Sequence, residues 1–413
     1  MKKSQKLALF AIILSMIILG CTTKKNPVST SGNTGPQPHS ITIRDTADFG
    51  NFYSYEDTTK NYANNAILTL GQYTVNGEPI ESRVLLRYAS LPDTVPDIIQ
   101  DATITMLVEN NQNDYVVDDF QLFQIAQYWK ENEVTWTVSD SLEWAAPGGD
   151  FSMEPVSFTS SIDEDTLSVS LDASVISNWI ESDSLNFGLI FVTSQTDAFV
   201  EFASAESGHD HATELTFKYR SEAETEFSTF TLSATSDASI NSSVPSESAF
   251  DNQLLLANLS PTSMVLNVAL DQSVFPDSII TSIEDYNRMG IVRAELFLHF
   301  DDSQPSYSNS NYFFAQPYLI KTADPAIPIS TDDIAPINSY VDTDTLNAGY
   351  FAIDITDIVD GVTSGQFENH GILIKPGYPG KDFSFSHFYG PDAEEGKRPY
   401  IKIIYIPPYN FNR

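Results

Sequence analysis

Apolar and polar residues alternate in short runs along most of this chain. Thr166-Leu167-Ser168-Val169-Ser170-Leu171 places its apolar side chains at every second position, and Ala102-Thr103-Ile104-Thr105-Met106-Leu107-Val108 does the same. A period of two is the mark of a strand with one buried face. Ala66-Ile67-Leu68-Thr69-Leu70-Gly71 and Arg83-Val84-Leu85-Leu86-Arg87-Tyr88 read as further strands. Clusters of Asn, Asp, Gly, Pro and Ser separate them, as turns require. Helical periodicity is confined to brief stretches near Ala173 to Ile180 and Thr356 to Gly361. Many short strands at near-regular spacing predict an all-β protein built from jelly-roll-like β-sandwiches.

The pattern occurs twice. Asp165-Thr166-Leu167, Asp172 and Asn186-Phe187-Gly188-Leu189-Ile190 match Asp344-Thr345-Leu346, Asp354 and Asn369-His370-Gly371-Ile372-Leu373. In both, a phenylalanine follows the glycine by fourteen residues, at Phe202 or Phe385. Leu91-Pro92-Asp93 before Ala102 matches Phe275-Pro276-Asp277 before Ala294. Both copies close on an alternating strand, Leu215 to Tyr219 or Ile401 to Tyr405. Internal repetition of this kind marks tandem structural units. It predicts two sandwiches in tandem, residues 41–220 and 227–410. The joint Ser221 to Glu226 is short, acidic and leaves little room for hinging.

The first residues break the pattern. Lys2, Lys3 and Lys6 precede an apolar run from Leu7 to Leu19, which Gly20-Cys21 closes. A basic head, a short apolar core and a small residue at the cut are the layout of a secretory signal over residues 1–20. The run is shorter than the ~20 residues that span a bilayer. Ile18-Leu19-Gly20-Cys21 resembles the lipobox of bacterial lipoproteins. That resemblance implies that Cys21, the only cysteine, carries the lipid and anchors the protein to a membrane. An ordinary signal peptide with an incidental cysteine is the alternative. Thr22 follows the cysteine, with no aspartate there to favour inner-membrane retention, so the expected place is the outer membrane or cell surface. Residues 21–40 are rich in Thr, Ser, Pro, Gly and Asn and read as a flexible tether.

Composition narrows the partners. The chain carries 56 acidic and 21 basic residues, a formal charge of −35. Such a surface repels nucleic acid and anionic headgroups. With one cysteine there are no intrachain disulfides, so each sandwich stands on its apolar core.

The first copy also holds Trp129-Lys130-Glu131-Asn132-Glu133-Val134-Thr135-Trp136, Trp144 and Pro147-Gly148-Gly149-Asp150. With Arg83 to Tyr88, Asp172, Trp179, Asn186 and Gly188, this order resembles the DNRLRE-type (disaggregatase-related) domain, which is similar to carbohydrate-binding modules. The W-x-E-x-x-V-T-W stretch is its most specific element. The resemblance covers about 180 residues; the second copy keeps the frame but lacks the tryptophan stretch. It implies a β-sandwich on secreted or surface proteins that binds polysaccharide, in some members through basic grooves. This chain's negative charge departs from that last feature.

The candidate residues follow. All four tryptophans lie in the first copy, and indole faces are what sugar C–H faces stack on. Trp129, Trp136 and Trp179 sit in the patterned frame and read as core. Trp144, beside a Pro-Gly-Gly turn, is expected to be exposed and to contact ligand. Arg83 and Arg87 share one strand face and read as a small basic groove for a carboxylated sugar, or as partners of local carboxylates. His209 and His211 form the one tight metal-like pair, with a solvated loop as the alternative. Asp163-Glu164-Asp165, Asp301-Asp302 and Asp332-Asp333 are acidic runs for calcium without the spacing of a calcium loop, and acidic turns fit them as well.

No nucleophile elbow, H-E-x-x-H, P-loop or dinucleotide fingerprint is present in the sequence. The expected function is therefore a non-catalytic, lipid-anchored carbohydrate-binding protein, without a resident cofactor. A structural or adhesive surface lipoprotein that binds another protein is the alternative.

Overall fold

Runs of alternating Leu, Ile, Val and Thr put one face of each strand in a core, and the turn residues between them set the strand lengths. A computed structural model describes residues 36–44, 49–57, 61–62, 65–75, 78–112, 115–182, 184, 186–210, 212–242, 253–303, 306, 315–335, 349–380 and 383–408. The expected signal segment, Cys21, most of the expected tether, His211 and Asp344-Thr345-Leu346 lie outside the described residues.

The chain opens with β1 (His39–Ile43) and β2 (Phe49–Glu56). It continues with β3 (Ile67–Val75), β4 (Glu78–Arg87), the long β5 (Ile98–Gln112), β6 (Gln121–Gln124), β7 (Phe158–Asp163) and β8 (Thr166–Leu171). Helix α1 (Ala173–Glu181) leads to β9 (Leu189–Val192), β10 (Ala198–Ala203), β11 (Thr213–Arg220), β12 (Ser228–Ser233) and β13 (Ser236–Asn241). Next come β14 (Gln253–Ala257), β15 (Thr262–Val268), α2 (Ile283–Asn287), β16 (Gly290–His299), β17 (Ala315–Leu319), β18 (Tyr350–Asp354) and α3 (Thr356–Thr363). The last strands are β19 (Ile372–Pro376), β20 (Phe385–Tyr389) and β21 (Tyr400–Ile406). The fold is all-β and antiparallel, as the alternation predicts, and the two expected helical stretches are α1 and α3.

The two copies fold alike, pair by pair. In β8, Leu167, Val169 and Leu171 are buried, and Val169 pairs with Ile104 of β5. In the second copy Ile353 of β18 pairs with Leu296 of β16. Asp172 caps α1 by accepting from Ser174 N at 2.8 Å, and Asp354 accepts from Thr356 N at 2.9 Å at the start of α3. Helix α1 lays Val175, Ile176 and Trp179 against the first core, about 1.5–3 kcal/mol of burial for each large apolar side chain.

One expected match is out of step. Phe202 pairs with Leu68, and its counterpart is Phe388, which pairs with Leu254. Phe385 lies with Phe199 in another cluster. Three extra residues between β19 and β20 shift the pattern.

The expected boundaries also need correction, because strand pairing exchanges the first two strands of each copy. β12 runs antiparallel to β11, with Tyr219 opposite Ser228, and β13 pairs with β4 over Ser236–Asn241. Both lie in the 227–410 copy by sequence, yet they complete the first sandwich. In turn β1 pairs with β21 and β2 with β15, so the N-terminal strands complete the second. The short joint at 221–226 is the physical reason. A connection of that length holds the next strand beside the one it leaves, as a hairpin. Two serines confirm the equivalence: Ser239 Oγ accepts from Thr69 N at 2.7 Å, and Ser54 Oγ accepts from Leu255 N at 2.8 Å.

The exchange carries the chain across between the sandwiches, and they share an apolar core. Tyr73, Ile80 and Phe199 pack against Leu255, Ala257, Leu259, Phe383 and Phe385. Phe199 and Phe383 lie 4.8 Å apart between ring centres, and Tyr73 and Phe385 5.3 Å. Pro38–Pro408 accordingly form one unit.

A candidate binding cleft beside the tryptophan loop

The loop after β6 carries three of the four tryptophans. It folds over the outer face of the first sandwich, where Leu85, Phe123, Ile190, Ala238 and Ile240 bury Trp129, Val134 and Trp144. Backbone bonds close the loop on itself: Val134 N donates to Lys130 O at 2.8 Å, and Lys130 N to Ser139 O at 3.0 Å. Trp129 Nε1 donates to Phe187 O at 2.8 Å.

Trp144 is the main correction. It is 5% exposed, and its Nε1 donates to Thr135 O at 3.0 Å. Neither ring face is open to a ligand. The Pro-Gly-Gly turn beside it signals a loop, but this loop packs inward onto the apolar back of a sheet. Trp136, read from sequence as core, is half-buried instead and lines the cleft.

Arg83 and Arg87 do share one face of β4, and that face lies under the loop. Arg83 forms an ion pair with Glu81 at 2.7 Å, donates from Nη1 to Gly148 O at 2.7 Å, and places its guanidinium 4.6 Å from the Trp136 ring centre. Arg87 donates to Trp129 O at 3.3 Å and lies 4.9 Å from the centre of Tyr128. Both arginines hold the loop down, and no basic groove forms between them. Gly148 has φ +93°, and a Cβ there would meet Arg83 Nη1 at 2.5 Å and Trp136 Cζ2 at 2.9 Å. A glycine is needed for this stack to close.

His209 pairs with Glu109 at 3.0 Å. Asp301 Oδ1 accepts from Ser303 N at 3.0 Å, and Asp333 from the hydroxyls of Thr322 and Ser330. Asp301 and Asp333 thus accept from hydroxyl-bearing residues of their own turns and of the neighbouring segment.

Beside the loop lies a cleft of about 180 Å³, walled by both sandwiches. Trp136 and Thr135 of the loop form one wall. Glu56 and Asp57 at the end of β2, Tyr62, Asn241 at the end of β13, and Ser260 form the rest. Asn241 Nδ2 donates to Leu259 O at 3.0 Å, and Ser260 Oγ donates to Glu56 Oε1. The Tyr62 hydroxyl is buried with no partner among the described residues. Burial first, then Asp57 and Glu56, hold its proton well above the usual phenol range, so it is a donor at any physiological pH. The cleft thus offers an indole surface and carboxylate acceptors, with Tyr62 in its wall. Sequence reasoning missed it because its walls come from strands that the exchange brings together. A second, wider depression beside Asn369 and Gly371 has no Trp, Tyr or Phe in its lining.

Compared with known proteins, the chain matches no family model, no curated protein and no solved structure.

Proposed function

We propose that this protein is a non-catalytic carbohydrate-binding protein of the cell envelope, anchored by lipid at Cys21, with the Trp136 cleft as its sugar site. The observation that carries the reading is the cleft itself. A half-buried indole and carboxylate acceptors converge there, and these are groups that meet the C–H faces and hydroxyls of a sugar. The resemblance of residues 41–220 to the DNRLRE-type domain supports the same class. The lipobox-like Ile18-Leu19-Gly20-Cys21 supports the anchor and an outer-membrane or surface location.

Glu56 and Asp57 in the wall, on a chain of charge −35, disfavour a polyuronate and favour a neutral or amino sugar. At about 180 Å³ the cleft is below the ~300 Å³ at which drug-sized sites begin, so it takes a single ring, as at a chain end. A glycan array probed with the soluble fragment from Ser40 tests this. Retention of neutral or amino-sugar glycans, lost in Trp136→Ala, is the expected result. An array silent to the intact fragment overturns it.

The second reading, a structural or adhesive lipoprotein that binds another protein, draws on the exchanged strands and shared core. They join both sandwiches into one compact unit, which suits a spacer between an anchor and a protein partner. A silent array together with specific capture of a single surface protein favours it.

A further inference from the structure

Asp237 stands where the other sandwich has an aromatic residue. In β13 it pairs with Leu86, whereas in β2 the residue opposite Leu266 is Phe52, packed against the core. Asp237 is fully buried. Its Oδ2 accepts from Ala205 N at 2.8 Å and Thr213 Oγ1 at 3.3 Å, and its Oδ1 has no partner. A buried carboxylate oxygen without a donor is rare, because it forfeits its hydration.

Two more carboxylates face it. Glu131 stands in the tryptophan loop, and Glu206 lies in the single 3-10 turn after β10. One oxygen from each of Glu131, Glu206 and Asp237 lies within 4.8 Å of the others. Glu131 is half-buried and Glu206 exposed, so the cluster opens to solvent on one side. The hydroxyl of Tyr88, fully buried and next to the Asp237 charge, is likewise unpartnered. Three acids packed together on three separate segments repel one another unless something positive joins them. Arg87 is the cation whose charge reaches Glu131. Its pull on Glu131 is weaker than the effect of burial.

We propose that Glu131, Glu206 and Asp237 form a calcium site that ties the tryptophan loop to β13 and to the turn after β10. The donors are all hard oxygens, which suit calcium and not zinc or copper. Their spacing fits within the ~5 Å that two oxygens span across one calcium shell. Water and main-chain carbonyls complete six to eight ligands, and the open side at Glu206 admits them. The electrostatics agree. Burial pushes the Asp237 carboxyl up to about 7, with Glu206 and Glu131 adding to it, and burial raises Glu131 as well. A dication in the cluster would favour the ionised carboxylates that burial disfavours. The site is independent of the sugar cleft, although Glu131 and Trp136 share a loop.

Calcium titration of the full-length protein, stripped with EDTA and held at pH 8, tests the proposal by calorimetry and thermal unfolding. The chain's many surface acids bind calcium diffusely, so the readout is one saturable site that depends on these residues. The expected result is one site with a dissociation constant of about 10⁻⁴–10⁻³ M, as in extracellular modules, and a rise in the unfolding midpoint. Magnesium at equal concentration gives a smaller rise. Glu206→Gln, on the exposed side, weakens the site at least tenfold. Asp237→Asn abolishes it while remaining folded without calcium. No saturable site in the wild type overturns the proposal, as does a site that both variants retain. A midpoint that rises on acidification but ignores calcium also overturns it, since a shared proton then holds the acids together.

Discussion

Asn186 and Asn369 make the same bond in the two sandwiches. Each donates from Nδ2 at 2.7 Å to a main-chain carbonyl, Tyr88 O in the first and Val268 O in the second. Two residues later each is followed by a glycine with positive φ, Gly188 at +90° and Gly371 at +116°, lying against the Leu86 and Leu266 carbonyls. The asparagine ties the end of one strand to the segment that enters the next. The glycine then lets β9 or β19 come in close beside β4 or β15.

This relationship predicts a ranking. Asn186→Ala and Asn369→Ala should each cost about 1–3 kcal/mol, because a buried carbonyl loses its donor. Gly188→Ala should cost more than either, since its Cβ would lie 2.1 Å from Leu86 O. Urea denaturation of the three variants checks the order. A Gly188→Ala protein as stable as the wild type contradicts the close approach.

Strand exchange predicts which fragments stand alone. Residues 61–242 contain every strand of the first sandwich, whereas 41–220 lack β12 and β13 and keep β2 and the end of β1, which belong elsewhere. The loss removes Ala238 and Ile240 from beneath the tryptophan loop. Fragment 61–242 should unfold cooperatively with a higher thermal midpoint than 41–220. Equal midpoints would mean that β1 and β2 can replace β12 and β13 on their own copy.

Much of this architecture was legible in the sequence because it rests on local rules. Alternation marked the strands, brief helical periodicity marked α1 and α3, and Asp172, Asp354, Asn186-Phe187-Gly188 and Asn369-His370-Gly371 marked the repeat. The exchange was not legible, since period-two patterning says which face of a strand is buried and nothing about which sheet it joins. Its one signal was the short joint at 221–226, which favours a hairpin. The tryptophans misled for a related reason. Trp144 and Trp136 both sit in a turn-rich loop, and only the apolar face of Leu85, Ile190 and Ile240 beneath it decides which ring is covered. Glu131, Glu206 and Asp237 are about 30 or more residues apart in sequence, and nothing in their spacing announces a cluster.

Asp237 makes stability fall with rising pH when calcium is removed. Its carboxyl is pushed up to about 7 by burial, with Glu206 and Glu131 adding, against about 3.9 in an unfolded chain. Between those values the folded state holds a proton that the unfolded state releases. Stability is therefore fully present below about pH 4 and is lost as pH rises through 7. The loss is on the order of a few kcal/mol. Asp172, Asp302 and Asp333, held low by hydrogen bonds, act in the opposite direction and only in more acid solution. Denaturant midpoints in EDTA at pH 5 and pH 8 check the trend. Asp237→Asn should flatten it, and an unchanged slope in that variant assigns the effect to other groups.

The anchor is tested by one atom. Cys21→Ser exchanges the sulfur that would carry the lipid for an oxygen, in a chain whose other residues offer no thiol. Two acyl chains hold a protein stably on a membrane, while one is marginal. The serine variant should leave the detergent phase for the aqueous phase, or remain with its signal uncleaved. Unchanged partitioning of a cleaved variant removes Cys21 as the anchor.

Trp136 and Trp144 should separate binding from stability. Trp144 is buried in the cluster beneath its loop and bonded to Thr135 O, so Trp144→Ala should cost about 3–5 kcal/mol as a large cavity. Trp136 is half-buried, stacked on Arg83 and open to the cleft. Trp136→Ala should lose less stability, about 1–2 kcal/mol for the exposed stack and its remaining contacts. Its effect on sugar binding should be larger, because the indole is the main apolar surface available to a ring. Affinity in the wild type should be modest, micromolar to millimolar, since a small open cleft buries little of its ligand. Calorimetry of both variants against neutral oligosaccharides, alongside thermal unfolding, reads the two effects separately. A Trp136→Ala protein with full affinity moves the sugar site away from the cleft, and a Trp144→Ala protein of wild-type stability denies that its ring is part of the core.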